Sequence, residues 1–229
     1  MKSNNQIWAF IPARSGSKSI KNKNIVILKK KPLLVHSLLT AKKCKNIQKI
    51  IFSSDSVKYY NIAKKYANVI FHKRKKNISL DKSTDLDFFK DFVKNFNGVL
   101  PSFFVHLRPT TPFRDSKLLD KIISDFVQKQ KNYSSLRSVS LMGNPLDKNV
   151  VIKKNKIFSP IFKTFRLDKI NYPRQKYPKS YLPNGYIDII KTKSILKGFL
   201  HGNRVKPYIN KKFVVDIDNL FDLRVARLL

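Results

Sequence analysis

Ile7-Trp8-Ala9-Phe10-Ile11, followed at once by Pro12-Ala13-Arg14-Ser15-Gly16-Ser17-Lys18-Ser19-Ile20-Lys21-Asn22-Lys23-Asn24, is the stretch that decides the fold. Five apolar residues without alternation read as a strand buried on both faces. The small, polar and cationic run behind it reads as a loop at the end of that strand. Working outward, Pro32 to Lys43 has helical spacing, with Leu34, Leu38, Leu39 and Ala41 on one face. Lys49 to Phe52 is a strand ending at Ser53-Ser54-Asp55, and Asp55 or Ser56 can cap a helix to about Tyr66. Val69-Ile70-Phe71 is a strand, Asp85 to Phe96 a helix, Phe103 to Leu107 a strand and Ser116 to Lys129 a helix. Strands alternating with helices predict an α/β fold with a mainly parallel sheet and helices on both faces.

Beyond residue 133 the pattern changes. Ser138 to Leu141, Val150 to Ile152 and Lys156 to Phe158 read as short strands, and proline-rich Tyr172 to Pro183 as an extended loop. Tyr186 to Ile190 returns to strand pattern. Phe213 to Ile217 reads as a last strand and Leu220 to Leu229 as a closing helix. The expectation is one α/β unit over residues 1–229 with an inserted β-rich excursion at 134–182.

Composition narrows the function classes. With 42% hydrophobic residues, the 229-residue chain can build a core, so global disorder is excluded. No apolar run approaches the roughly 20 residues of a membrane helix. The first ten residues do not read as a secretory signal, and a single cysteine, Cys44, cannot form an internal disulfide, so a cytoplasmic protein is expected. Net charge is +34, with 48 cationic side chains against 14 acids, every one of them aspartate. Such charge can mark a nucleic-acid binder. Here the lysines run from end to end with no separate basic arm, and no helix-turn-helix, RNP aromatic pair or zinc knuckle is visible. Nucleic acid is therefore the minor reading.

In an open parallel sheet, ligands collect beyond the carboxyl ends of the strands. Three such segments stand out. The loop Ala13 to Asn24 offers small residues, backbone amides, hydroxyls and cations, which is what a triphosphate requires. It is neither GxxxxGK[ST] nor GxGxxG, and a solvated basic loop is an equal alternative. Val214-Val215-Asp216-Ile217-Asp218 carries two aspartates at i and i+2, on the same side of an extended chain. Their repulsion calls for a counter-charge, and Mg²⁺ suits, because it is commonly held by one or two carboxylates plus substrate phosphates. The alternative is that Asp218 caps the closing helix. Leu107-Arg108-Pro109-Thr110-Thr111-Pro112-Phe113-Arg114 is a stiff loop presenting hydroxyls at a strand end. Cys44 reads as a packed small hydrophobe, and the four histidines lack metal-ligand spacing.

Taken together, IPARSGSKSIKNKN at 11–24, KIIFSSD at 49–55, LRPTTPFR at 107–114, YPRQKYPKSYLPNGYIDI at 172–189 and VVDID at 214–218 resemble the acylneuraminate cytidylyltransferases. The resemblance covers nearly the whole chain. It implies a Rossmann-like domain with a β-rich dimerisation excursion, hence a homodimer. It implies a reaction in which CTP and an acidic nine-carbon 2-keto sugar give a CMP-sugar and pyrophosphate, with Mg²⁺ as cofactor. It implies that Arg14, Ser17, Lys18, Lys23 and Asn24 hold the nucleotide, with Arg14 and Lys18 toward the phosphates. Arg74, seven residues before Asp81, matches a further nucleotide contact. Asp216 and Asp218 match metal ligands, and Arg174 and Asn184 fall with the substrate-binding positions.

The departures lie on the sugar side. Arg108 stands where the family usually has glutamine, a position that touches both ligands. Asp188 replaces a tyrosine, Leu182 an arginine, and Lys148 comes one place late after Asn144-Pro145-Leu146-Asp147. Sialic acid is thus one acceptor among several, beside legionaminate, pseudaminate or another keto-sugar acid. The Kdo cytidylyltransferases share fold and reaction and are the nearest alternative, although their first loop carries an arginine-leucine-proline pattern absent from Lys18-Ser19-Ile20-Lys21.

Overall fold

The computed structural model describes residues 6–152, 158–162 and 166–229. The quoted apolar run is strand β1 (Ile7–Pro12) at the centre of the molecule. Its side chains divide between two cores, as alternation along a strand requires. Ile7, Ala9 and Ile11 face helices α1 (Leu33–Lys43), α2 (Val57–Ala63) and α4 (Ser116–Gln128). Trp8 and Phe10 face α3 (Asp85–Asn95) and the short α5 (Thr192–Leu196), whose Phe88, Phe89, Phe92 and Ile195 complete that side. Burial on both faces is why the run shows no polar alternation.

The remaining strands are β2 (Ile27–Leu28), β3 (Lys31–Pro32), β4 (Lys49–Ser54), β5 (Ile70–Lys73), β6 (Phe103–His106), β7 (Ser135–Leu141), β8 (Val150–Ile152), β9 (Phe158–Pro160), β10 (Tyr181–Lys191) and β11 (Val205–Asn210). Seven of them form one sheet in the order β11-β7-β10-β6-β1-β4-β5. All neighbours in it are parallel except β10, which runs antiparallel to β6 and β7. The sheet is thus mostly parallel, as expected. Helix α2 starts at Ser56, whose hydroxyl accepts from the Tyr59 amide, so of the two candidate caps it is Ser56 that serves.

Four expectations change in the second half. β10 begins at Tyr181, inside the stretch read as an extended loop, and pairs through Pro183 with Val139 before its register shifts ahead of Asp188. β7 joins the main sheet, so the chain outside it runs only from 142 to 180 and carries the separate β8–β9 hairpin. Lys156 and Ile157, read as strand, lie outside the described residues. Val205–Asn210 forms edge strand β11 despite Pro207, which an edge position tolerates.

The fourth change concerns Phe213 to Ile217, which joins no ladder. Val215 and Ile217 do alternate inward, and they pack with Ile20, Leu28, Leu33, Leu223 and Ala226 in a third, smaller core. Among the described residues only Ile217 of this segment makes a backbone bond to another part of the chain, donating to the Thr110 carbonyl at 2.8 Å. The alternation reported one-sided burial, which an extended segment shares with a strand. The closing helix α6 (Leu220–Leu228) is capped by Asn219 in a capping box with Asp222, so Asp218 is not its cap. Among the described residues no helix is long and apolar enough to cross a membrane.

Candidate active site

A cleft of about 560 Å³ opens where β1, β5 and β6 end. The first loop forms one wall. It is held firmly: Ser15 donates to Asp55 through both its amide (2.8 Å) and its hydroxyl (2.6 Å). Ser54 bonds the Ala13 carbonyl at 2.6 Å, and buried Asn24 donates to the Arg14 carbonyl at 2.9 Å. The Ser-Ser-Asp that ends β4 therefore pins the start of the loop and Asn24 ties back its end, while Gly16, Lys18, Ser19, Lys21 and Asn22 between them are exposed, as in the alternative reading.

Arg14, Ser17, Lys18, Lys23, Asn24, Arg74, Arg108 and Asp218 all line this cleft. Arg14 and Lys18 converge on one anion, the Asp81 carboxylate, at 2.6 and 2.5 Å. Hydrogen bonds from Lys18 and then Arg14 hold that carboxyl below the usual aspartate range. Arg74 is buried, with its guanidinium 4.2 Å from the Phe88 ring centroid, and its Nη2 has no hydrogen-bond partner among the described residues. Burial pulls it down to about 10, against the opposing pull of Asp55 and Asp85.

Asp218 is exposed, and Lys23 reaches it at 3.1 Å while also donating to the Ile217 carbonyl. The counter-charge absent from the local sequence is thus supplied by a lysine 195 residues away. Asp216 is more enclosed, and its buried Oδ1 has no hydrogen-bond partner among the described residues. Burial, reinforced by the charge of Asp218, lifts its carboxyl above the usual range, and a hydrogen bond with Thr110 works the other way. A buried carboxylate oxygen with an unused lone pair, beside a second exposed carboxylate, fits a divalent cation shared with phosphate. Among the described residues no group of three or more His, Cys or Asp side chains gathers for a metal, here or elsewhere, so Asp216 and Asp218 would share the ion as a pair.

Arg108 departs most from expectation. Its Nη1 donates to Asp188 at 2.8 Å and its Nη2 to Asp85 at 2.6 Å. Burial opposes its charge, but Asp188 and Asp85 outweigh it and lift the guanidinium above the usual arginine range. Two of the four departures, Arg108 and Asp188, are therefore one ion pair, and its coupling across 80 residues could not be read from either motif alone. Arg114, quoted in the same motif without a role, is a half-buried rivet. It donates to the carbonyls of Tyr186, Gly185, Arg108 and Thr111 and to the Ser37 hydroxyl. Gly185 is required at this junction: its φ is +67°, and a Cβ there would lie 2.9 Å from Thr111 Oγ1.

Asp216 does not itself line the cleft, although Asp218 does, and two further expected residues lie apart from it. Asn184 spends its amide on Ser140 (2.8 Å), Asn210 (2.9 Å) and the Tyr186 amide (3.1 Å), holding the irregular turn of β10. Arg174 lines a second hollow of about 380 Å³ with Leu141, Pro145 and Lys179, outside the main cleft. Cys44 is buried and free, its thiol pushed up to about 12 by burial, as a packed hydrophobe should be.

A family model described as cytidylyltransferase matches residues 8–163. The chain belongs to the cytidylyltransferase family. Over 223 residues it is 31% identical to an N-acylneuraminate cytidylyltransferase of Escherichia coli, a match covering 96% of this chain and 51% of that one. Over 229 residues it is 27% identical to a CMP-N,N'-diacetyllegionaminic acid synthase of Campylobacter jejuni, covering 98% and 94%. The chain thus spans about half the length of the N-acylneuraminate cytidylyltransferases it matches and nearly all of the legionaminic acid relative. A solved CMP:2-keto-3-deoxy-manno-octonic acid synthetase complexed with CTP superposes with a TM-score of 0.69 over 97% of both chains at 13% identity. That likeness supports the nucleotidyltransferase fold.

Proposed function

We propose that this cytidylyltransferase joins CTP to an acidic nine-carbon 2-keto sugar, giving a CMP-sugar and pyrophosphate. The observation that carries the reading is the convergence of Arg14 and Lys18 on Asp81. A carboxylate sits where two cations at the end of β1 could equally grip a phosphate. The full-length likeness to a legionaminic acid relative and the partial likeness to N-acylneuraminate enzymes support an acidic nine-carbon acceptor.

In this reading Arg14 and Lys18 exchange Asp81 for the β- and γ-phosphates, Arg74 holds the nucleotide, and Ser17, Lys23 and Asn24 fix the loop around it. The anomeric hydroxyl attacks the α-phosphorus, the bond to the β-phosphate breaks, and pyrophosphate leaves. Such transfer depends on positioning and charge stabilisation. Asp216 and Asp218 would hold Mg²⁺, which when bound neutralises phosphate charge and polarises the α-phosphate.

The same reading includes a homodimer built by the excursion. The β8–β9 hairpin stands off the main sheet, with Val150, Val151 and Ile152 exposed on it and Ile161 and Phe162 exposed just beyond. Partner contact would cover them and could carry Arg174 to a neighbouring cleft. A cytoplasmic setting accords with a single cysteine, Cys44, that is in no disulfide.

Pyrophosphate release with each of the four common nucleoside triphosphates, Mg²⁺ and a panel of nine-carbon keto acids tests the proposal. Release should require CTP and one of the acids. Equal yield with another triphosphate would remove the cytidylyl assignment.

A further inference from the structure

Arg74 enters the cleft at the end of a buried hydrogen-bond chain that touches no part of the cleft itself. Its Nε donates to Ser53 Oγ at 2.7 Å. Ser53 Oγ lies 2.9 Å from His72 Nδ1, and His72 Nε2 lies 2.9 Å from Asp91 Oδ2. The fold sets up each contact. Parallel pairing of β4 and β5 places Ser53 opposite His72. Asp91 projects from α3, and the His72 ring packs edge-on against Phe10 and Phe92. Ser53 has no exposed surface and His72 is 8% exposed.

With His72 neutral, the form its burial favours, donor and acceptor capacity fixes the direction of every bond. Asp91 can only accept, so His72 carries its proton on Nε2. Its Nδ1 is then a bare acceptor, which obliges the Ser53 hydroxyl to donate to it. The Ser53 oxygen is left with lone pairs for the Arg74 Nε proton. Lys75, 3.7 Å from Asp91, and Asn95, which donates to the other carboxylate oxygen at 3.0 Å, complete the charged and polar surroundings of the far end. Serine, histidine and aspartate also make nucleophilic triads, but this serine has no route to a substrate and its lone pairs face a guanidinium.

We infer that Asp91, His72 and Ser53 are positioning residues that aim Arg74 into the nucleotide cleft. The inference rests on the reading above that Arg74 contacts the nucleotide. Burial favours the neutral form of His72, which the one-way chain needs, and Asp91 opposes this. A polarised chain in a dry interior holds its members more tightly than isolated pairs do.

The test compares steady-state CTP kinetics, Tm and imidazole ¹⁵N NMR. His72→Phe keeps a ring between Phe10 and Phe92 but deletes both bonds, and Ser53→Ala cuts the chain beside Arg74. Each should raise KM for CTP about tenfold, the scale of one lost bond to a charged group, with kcat within about twofold. Adding His72→Phe to Arg74→Ala should do nothing further, because both remove the same contact. Wild-type His72 should show Nε2 protonated and Nδ1 bare at neutral pH. A proton on Nδ1, changes in Tm alone, or KM effects that multiply in the double variant would overturn the relay. If Arg74→Ala raises KM while His72→Phe and Ser53→Ala do not, only the relay falls. If Arg74→Ala itself leaves KM unchanged, the reading of the cleft falls with it.

Discussion

Arg14 and Lys18 share a single internal anion, and that fixes what should happen when either side is altered. Lys18→Ala removes a preorganised cation from an exposed side chain, so kcat/KM should fall by about 10²-fold while Tm hardly moves. Asp81→Asn should act in the opposite sense on binding. It frees both cations, so inorganic pyrophosphate and CTP should bind several-fold more tightly by calorimetry; unchanged affinity would mean that Asp81 does not compete for the phosphate position. Asp216→Asn deletes the enclosed carboxylate whose Oδ1 lacks a partner. Mg²⁺-dependent CTP binding should weaken and most activity disappear, whereas metal-free Tm should hold or rise as the Asp216–Asp218 repulsion is relieved. An unaltered Mg²⁺ titration would make the pair structural. The same change at Asp218 should cost no helix stability, since Asn219 is the cap.

Strand β6 carries both the site and a liability. His106 at its end is fully buried, and neither ring nitrogen has a hydrogen-bond partner among the described residues. Burial first, and the Arg108 charge next, bring it down to about 3 from 6.5, against Asp85 and Asp188. The unfolded chain therefore takes up the proton first as pH falls. Stability is complete above about 6.5 and declines toward pH 3, by at most about 1.4 kcal/mol per pH unit from this group. His106→Phe should lose less stability than wild type between pH 7 and 4 by denaturant titration; equal slopes would refute the assignment.

Legibility also divides by element. β1, β4 and β6 and helices α1, α3 and α4 were readable because each buries a long apolar run or stripe, and the first loop was readable from its chemistry. The segment 213–217 reads as a strand because extended chain and strand share alternation, and β11 does not show in the sequence because Pro207 masks an edge strand. Asp81 and the Arg108–Asp188 pair were invisible as partners, because long-range ion pairs leave no local period.

At the scale of the molecule, the charge of +34 opposes any self-association, so the proposed dimer must form through apolar contact. Self-association should tighten as salt rises and screens repulsion, the reverse of the salt response of a nucleic-acid complex. Val151→Glu with Ile152→Glu on the exposed hairpin should give monomers in sedimentation. A dimer indifferent to both changes would have another interface. Cytidylyl transfer to an acidic sugar can be followed by ³¹P NMR of one reaction mixture. With CTP, Mg²⁺ and a nine-carbon keto acid, a CMP-sugar phosphodiester signal and pyrophosphate should grow in equal amounts, and neither should form without the acid. Free CMP, or pyrophosphate that accumulates without the acceptor, would contradict it.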